Sequence, residues 1–331
     1  MKQRFRAYRI YETNGNVSAQ IEALDLDDLS AGEVTVRVQY SGINYKDALA
    51  ATGKGRILRR SPLVGGIDLS GEVIASEDSR YSPGDLVLVT GCGLSETHDG
   101  GYAEVARVRG DWVIPLPSNL SADDAMRIGT AGFTAALAID RMEINGQHPA
   151  QGPIVVTGAT GGVGSLAINM LAARGYQVAA FTGSTDAHGY LKSIGALEII
   201  ERHDFVFGER PLEKVRWAGA IDNVGGDVLA GLTRHIDYFG NIAGIGLVSS
   251  ATLHTTVMPF ILRGVNLLGI NSVANTREQR LRIWDRLGSD LRPRDLNTIC
   301  PRTIPFSQLP GALSEFLGVQ RRGRTLVDMR G

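Results

Sequence analysis

The residues best suited to hold a nucleotide lie in one stretch, Val155-Val156-Thr157-Gly158-Ala159-Thr160-Gly161-Gly162-Val163-Gly164-Ser165. A β-branched run stops at glycines and passes at once into the apolar residues 166–173, so the order is strand, tight turn, helix. Glycines let the backbone turn sharply and approach a pyrophosphate, and a helix N-terminus presents N–H groups with no intrahelical acceptor. The backbone of Thr160, Gly161, Gly162 and Val163 is therefore the expected cradle. Ala159 stands where the first glycine of G-x-G-x-x-G is usual, with Gly161 and Gly164 in the other two places. A glycine-rich turn without a ligand is the alternative.

The end of the next strand separates two cofactors. NAD sites usually carry an acid there that bonds the ribose 2′-hydroxyl and repels a 2′-phosphate. Here the strand runs out as Phe181-Thr182-Gly183-Ser184-Thr185, with no acid before Asp186. That points to NADPH, with Thr182, Gly183 and Ser184 around the phosphate. Arg202, in Glu201-Arg202-His203-Asp204, is either a charge-assisted phosphate contact or a solvated surface cation. A second group of cations, Lys54, Arg56, Arg59 and Arg60, with Arg321, Arg322 and Arg324 near the end of the chain, is either a phosphate-binding surface or a charged solvent face.

The overall composition limits the class of partner. Of 331 residues, 43% are hydrophobic and 21% charged, and the formal net charge of -1 gives no bulk attraction to nucleic acid or anionic membrane. Small molecules are the expected partners. Cys92 and Cys300 are the only cysteines, too few for a disulfide framework or a four-cysteine zinc site, and His98 near Cys92 does not complete one. A charged N-terminus and the lack of a long apolar run lead us to expect a cytoplasmic protein.

The elements that must carry these residues fall into two groups. Up to about Pro117 the chain reads as short strands with turn signals: residues 34–40, 69–74, 86–90 and 101–108, the pattern of a small irregular barrel. From Ala125 helical segments alternate with apolar strands near 154–157, 177–182, 198–200, 218–223, 240–245 and 265–269, so a parallel sheet covered on both faces is expected. An amphipathic helix near 280–287 and a closing strand at 323–329 complete the chain, the strand returning to the first domain.

The order of these parts, with Asn44-Tyr45-Lys46-Asp47-Ala48, the turn at 157–164, Asp222-Asn223-Val224-Gly225-Gly226 and Gly323-Arg324-Thr325, resembles the medium-chain dehydrogenase/reductase superfamily over the whole chain. Longer strings, among them Ile128-Gly129-Thr130-Ala131-Gly132-Phe133-Thr134-Ala135 and Thr255-Thr256-Val257-Met258-Pro259-Phe260-Ile261-Leu262-Arg263, resemble its zinc-free acryloyl-CoA reductase and quinone oxidoreductase-like branch. The resemblance implies an α/β protein: a GroES-like irregular β-barrel domain, residues 1–124 completed by about 273–331, and a Rossmann-type doubly wound parallel sheet domain, residues 125–272. Where zinc members place Cys and Gly-His-Glu, this chain has Asn44 and Gly66-Ile67-Asp68, so no metal is expected.

Asn44 and Tyr45 then become the candidate catalytic residues, because both can donate hydrogen bonds to the oxygen that gains charge when hydride adds to an unsaturated thioester. Tyr45 is read as acid or orienting group, with a packing role at the cleft wall as its alternative, and Asp47 as a helix cap or a partner for Lys46. By resemblance, Tyr45, Leu247, Ile261 and Ser272 join the cofactor contacts, and Arg202 falls at a 2′-phosphate contact. The expected activity is NADPH-dependent reduction of an α,β-unsaturated acyl-CoA, with acryloyl-CoA favoured. Quinone reduction and a catalytically idle cofactor- or nucleic-acid-binding role are the alternatives. A homodimer, paired at a sheet-edge strand at 265–269, is expected as well.

Overall fold

The structure is a computed structural model that describes residues 4–318 and 322–331. The chain divides into two compact units, one of Met1–Thr130, Val273–Gly288 and Cys300–Gly331, the other of Ala131–Ser272 and Ser289–Ile299.

The first unit is built on β-strands. The strands β1 (Phe5–Thr13) and β2 (Asn16–Leu24) form a hairpin around Asn14-Gly15, both at positive φ (53° and 81°). This is the turn chemistry that Asn-Gly favours. Next come β3 (Val34–Gly42), α1 (Tyr45–Thr52), β4 (Leu63–Val64), β5 (Asp68–Ser76), β6 (Leu86–Thr90), β7 (Val105–Val108) and β8 (Ile114–Pro115). One sheet has the order β2-β1-β4; in the other, β3, β5, β6 and β8 lie side by side and β7 pairs with β3. In β3 the inward residues Val34, Val36 and Val38 are buried, as alternation requires, and they join a core with Leu63, Leu69 and Tyr102. The strand expected over 101–108 starts only at Val105. At Gly101 a Cβ would fall 2.1 Å from the Asp68 carbonyl oxygen, so this segment serves a close backbone approach instead of a continuous ladder.

The helix α2 (Ala122–Ile144) carries the chain from one unit into the next, with non-helical backbone at Gly129 (φ 51°, ψ -160°). In the second unit follow β9 (Ile154–Thr157), α3 (Gly162–Ala173), β10 (Val178–Thr182), α4 (His188–Ser193), β11 (Glu198–Glu201), β12 (Trp217–Asp222), α5 (Gly226–His235), β13 (Ile236–Gly244), α6 (Met258–Leu262) and β14 (Asn266–Gly269). All pairings in this sheet are parallel, in the order β11-β10-β9-β12-β13-β14. That is the doubly wound order, and the direction of winding reverses between β9 and β12, where such sheets open a crevice at their carboxyl ends. Every residue of β9, β10 and β12 is buried, which explains their unbroken apolar character.

The tail adds α7 (Arg277–Leu287), α8 (Leu296–Ile299), β15 (Arg302–Pro305), α9 (Leu309–Phe316) and β16 (Thr325–Asp328). The last strand pairs antiparallel with β3, so the closing Gly323-Arg324-Thr325 is brought beside Gly42 and the start of α1.

Candidate active site

A buried polar cluster gathers where β3, α1, β5 and β16 meet in the first unit. Asn44 precedes α1 in extended conformation, and its backbone N–H donates to Asp47 Oδ2 at 2.9 Å. Its side-chain amide donates to Asp47 Oδ2 at 3.1 Å and to Asp68 Oδ2 at 2.8 Å, while Asn44 Oδ1 accepts from Arg324 Nη1 at 2.9 Å. Both amide hydrogens and the amide oxygen are thus engaged within the protein. Arg324 Nη2 also donates to the Met126 carbonyl at 3.2 Å and lies 3.5 Å from Asp68 Oδ2. Asp68 receives further bonds from the Thr130 N–H, at 3.0 Å, and from the Thr130 hydroxyl. The Asp68 and Arg324 side chains are almost wholly buried, and glycines make the room: a Cβ at Gly42 or Gly129 would stand 2.5 or 2.4 Å from Arg324 Nη2.

Zinc does not fit this donor set. A catalytic zinc takes three ligands from His, Cys and carboxylate, whereas Asp68 faces a guanidinium and the flanking positions are Asn44 and Ile67. Among the described residues no group of three or more His, Cys, Asp or Glu side chains is placed to hold a metal.

Asp47 is fully buried beside Asp68, and burial first, then the Asp68 charge, push its carboxyl up to about 7. The same two acids and, above all, burial raise the Tyr102 phenol, which donates to Gly42 O at 3.0 Å. The native state therefore keeps a proton on Asp47 that the unfolded chain, near 3.8, has released. The folded protein binds more protons across that window, so stability is highest on its acid side and declines as pH rises toward 7. Thermal denaturation between pH 5 and pH 8 should show this decline, and Asp47→Asn should flatten it; an unchanged slope in the variant would refute the assignment.

Tyr45 begins α1 and differs from its neighbours. It is 49% exposed, and among the described residues its hydroxyl has no hydrogen-bond partner. Asp47 caps the helix as expected, but Lys46 pairs instead with Glu96 at 2.5 Å. His98 is structural, its ring nitrogens lying 3.0 and 2.9 Å from the Asp99 and Ala31 carbonyls.

In the second unit the glycine turn closes through Gly161 N–H donating to Gly158 O at 3.0 Å, with Gly158 at φ 56°. Gly161 itself is therefore engaged, whereas Gly162 and Val163 open α3 and have no carbonyl one turn earlier in the helix. Gly164 is obligatory, because a Cβ there would lie 2.3 Å from Gly158 O. Thr157 Oγ1 donates to Asp222 Oδ1 at 2.6 Å, and Asn223 Nδ2 donates to Thr157 O at 2.8 Å, tying the ends of β9 and β12 together at the reversal point. Among the described residues Asn223 Oδ1 is buried there without a partner. This cradle, which a side chain would fill, fits a dinucleotide.

At the end of β10, Ser184 N–H donates to Thr182 Oγ1 at 3.0 Å, and Arg202 N–H donates to Thr182 O at 2.7 Å. The exposed Arg202 guanidinium lies over Gly183, where a Cβ would come within 3.0 Å of Nη2. The neighbouring Glu201 is held by His188. Leu247 and Ile261 are exposed, at 67% and 71%, and Ser272 is half-buried. Asp68 and Thr130 are the cluster members that residue type alone did not single out, and Arg324, grouped in the sequence with the terminal cations, is buried here and faces neither solvent nor a phosphate. The signal for Asp68 was its place in Gly66-Ile67-Asp68 at the start of a strand.

Residues 30–118 match the alcohol dehydrogenase GroES-like domain, and residues 162–286 match the zinc-binding dehydrogenase family. AcuI of Ruegeria pomeroyi, named as an acrylyl-CoA reductase, is 47% identical over 96% of this chain and 96% of its own. YhfP of Bacillus subtilis, whose name reads "Putative quinone oxidoreductase", is 46% identical over 99% of this chain and 100% of its own. The crystal structure of YhfP with NAD bound has a TM-score of 0.96, covering 99% of this chain and 100% of that one. The yhdH oxidoreductase of Salmonella enterica, solved in complex with NADP, is 47% identical with a TM-score of 0.94 over 98% and 99% of the two chains. With its GroES-like first unit, its Rossmann-type second unit and full-length identity to these proteins, the chain belongs to the medium-chain dehydrogenase/reductase superfamily and, within it, to the family of AcuI and YhfP.

Proposed function

We propose that this protein reduces the C=C bond of an α,β-unsaturated acyl-CoA, acrylyl-CoA to propionyl-CoA, with NADPH and without a metal. The observation that carries this reading is the identity of 47%, over 96% of both chains, to a protein named as an acrylyl-CoA reductase. Bound NADPH supplies the hydride that reaches the β-carbon. Negative charge then grows on the thioester oxygen, and a free donor is needed there. The Tyr45 hydroxyl is that donor, being exposed and unengaged. A proton must also reach the α-carbon, from Tyr45 or from water. Asn44 is a positioning residue: with Asp47, Asp68 and Arg324 it fixes the first turn of α1, and Tyr45 with it.

For the cofactor, the N–H groups of Thr160, Gly162 and Val163 face the pyrophosphate in this reading, with Gly161 closing the turn. Thr182, Gly183, Ser184 and Arg202 take the 2′-phosphate, and Leu247, Ile261 and Ser272 line the nicotinamide end. The absence of an acid between Thr182 and Asp186 supports NADPH.

YhfP's name favours a second reading, quinone reduction, since the fold does not fix the acceptor. Purified protein should be given acrylyl-CoA and a simple quinone, first with NADPH and then with NADH. Turnover with acrylyl-CoA and NADPH supports the proposal. Turnover with quinone alone replaces the substrate, and no turnover with either favours a cofactor-binding protein without catalysis.

We further propose a homodimer joined at β14, the edge strand of its sheet, and a cytoplasmic location. Exposed Phe239, Val257 and Leu262 lie on β13 and α6 or their approach, an apolar surface that a second copy would cover. Light scattering should give twice the 35.5 kDa chain mass, and a monomeric mass would remove this part. Among the described residues no helix is long and apolar enough to cross a membrane.

A further inference from the structure

Between Asp47 and Asp68 the chain carries four cations, Lys54, Arg56, Arg59 and Arg60, and no acid, in a protein whose net charge is -1. The structure sorts these cations. Arg60 donates to Ser30 Oγ at 2.7 Å and lies 3.5 Å from the buried carboxylate of Asp99. Arg59 lies 3.9 Å from Glu96, which Lys46 already holds. Arg324 is buried in the polar cluster, Arg322 is engaged by other groups, and Arg321 lies outside the described residues. Lys54 and Arg56 remain: both are exposed, and neither has a carboxylate partner among the described residues. They flank Gly55 in the loop that Gly53, at φ 67°, turns away from the end of α1. The backbone N–H groups of Lys54, Gly55 and Arg56 find no acceptor among the described residues either.

We infer that the Lys54-Gly55-Arg56 loop binds the phosphorylated adenosine end of the coenzyme A carried by the substrate. Two side-chain cations and unengaged backbone N–H groups at a small residue form an anion site with both charge and direction. Placement agrees with this role. Tyr45 opens α1 and the loop follows its other end; eight residues of helix span about 12 Å. An extended pantetheine arm bridges such a separation, leaving the thioester at Tyr45 and the phosphates at the loop. A quinone has no group for this site.

The inference rests on the acyl-CoA reading above, and the test separates the two. Acrylyl-CoA should be compared with acrylyl-pantetheine, which has the same thioester and no phosphate, in the parent and in Lys54→Ala/Arg56→Ala. Each lost charge-assisted contact is worth about a factor of ten. The double variant should therefore raise KM for acrylyl-CoA by roughly a hundredfold with kcat retained, and leave KM for acrylyl-pantetheine as in the parent. Parent kcat/KM should also fall with added salt for the CoA ester only. Equal changes for both substrates, or none, would overturn the loop assignment while the reductase reading stands. Calorimetric titration with coenzyme A alone gives an independent readout. The parent should bind and the variant should bind at least tenfold more weakly. Failure of the parent to bind removes the site, and failure of the parent to reduce either thioester removes the reductase reading.

Discussion

Replacing Arg324 with Met should destabilise the protein by about 3–5 kcal/mol, the cost of leaving a buried charge without its partner. The side chains of Arg324 and Asp68 are 2% and 0% exposed, so solvent cannot take over the role of either. The guanidinium is also what connects the cluster, reaching Asn44 Oδ1, the Met126 carbonyl and Asp68 from one planar group. Lysine cannot reproduce that fork, and Arg324→Lys should recover only part of the loss. Asp68 is held more tightly by Thr130 and Asn44 than by Arg324, whose nitrogen stands 3.5 Å away. The double variant Arg324→Met/Asp68→Asn should therefore be more stable than Arg324→Met alone, because the neutral amide no longer needs a counter-charge. Urea denaturation measures all three. A loss below about 1 kcal/mol in Arg324→Met would mean that the pair behaves as a surface ion pair does, contrary to its burial.

The second unit was far more legible in the sequence than this cluster. Its strands are buried on both faces, so β9, β10 and β12 read as continuous apolar runs, and the glycine turn lies within one short window. The first unit hides more. The Asn14-Gly15 hairpin carried a turn signal, but β2 alternates exposed and half-buried residues with few large apolar side chains to mark it as a strand. Residues 101–104 alternate suitably for a strand yet serve as packing against Gly66 and Asp68, which only the folded backbone reveals. The polar cluster joins Asp68 and Arg324 across 256 residues of sequence, beyond any local pattern. Arg324 looked like one more cation beside Arg321 and Arg322, and its burial depends on the pairing of β16 with β3 and on the space left by Gly42 and Gly129. Asn44 was legible as a polar residue at the right place, but its amide proves to be engaged on both the donor and the acceptor side, which shifts the chemistry in our proposal to Tyr45.

Cofactor choice should turn on Arg202. Its guanidinium lies over Gly183 at the end of β10, and no acid stands between Thr182 and Asp186 to repel a phosphate. A charge-assisted contact to a phosphate contributes about 1.5–3 kcal/mol, so Arg202→Ala should weaken NADPH binding by roughly 10- to 100-fold. NADH has no 2′-phosphate, and its binding should change by less than about threefold, within the range of an exposed surface substitution. The relatives make the comparison informative, since one was solved with NADP and another with NAD. The neighbouring Thr182 and Ser184 are both buried, and Ser184 N–H already donates to Thr182 Oγ1, so they shape the loop more than they supply charge. Arg202 would then carry most of the discrimination. Fluorescence titration of the two nucleotides in parent and variant gives the ratio directly. Equal weakening of both would show that the Arg202 side chain, packed over Gly183, supports the end of β10 and does not read the phosphate.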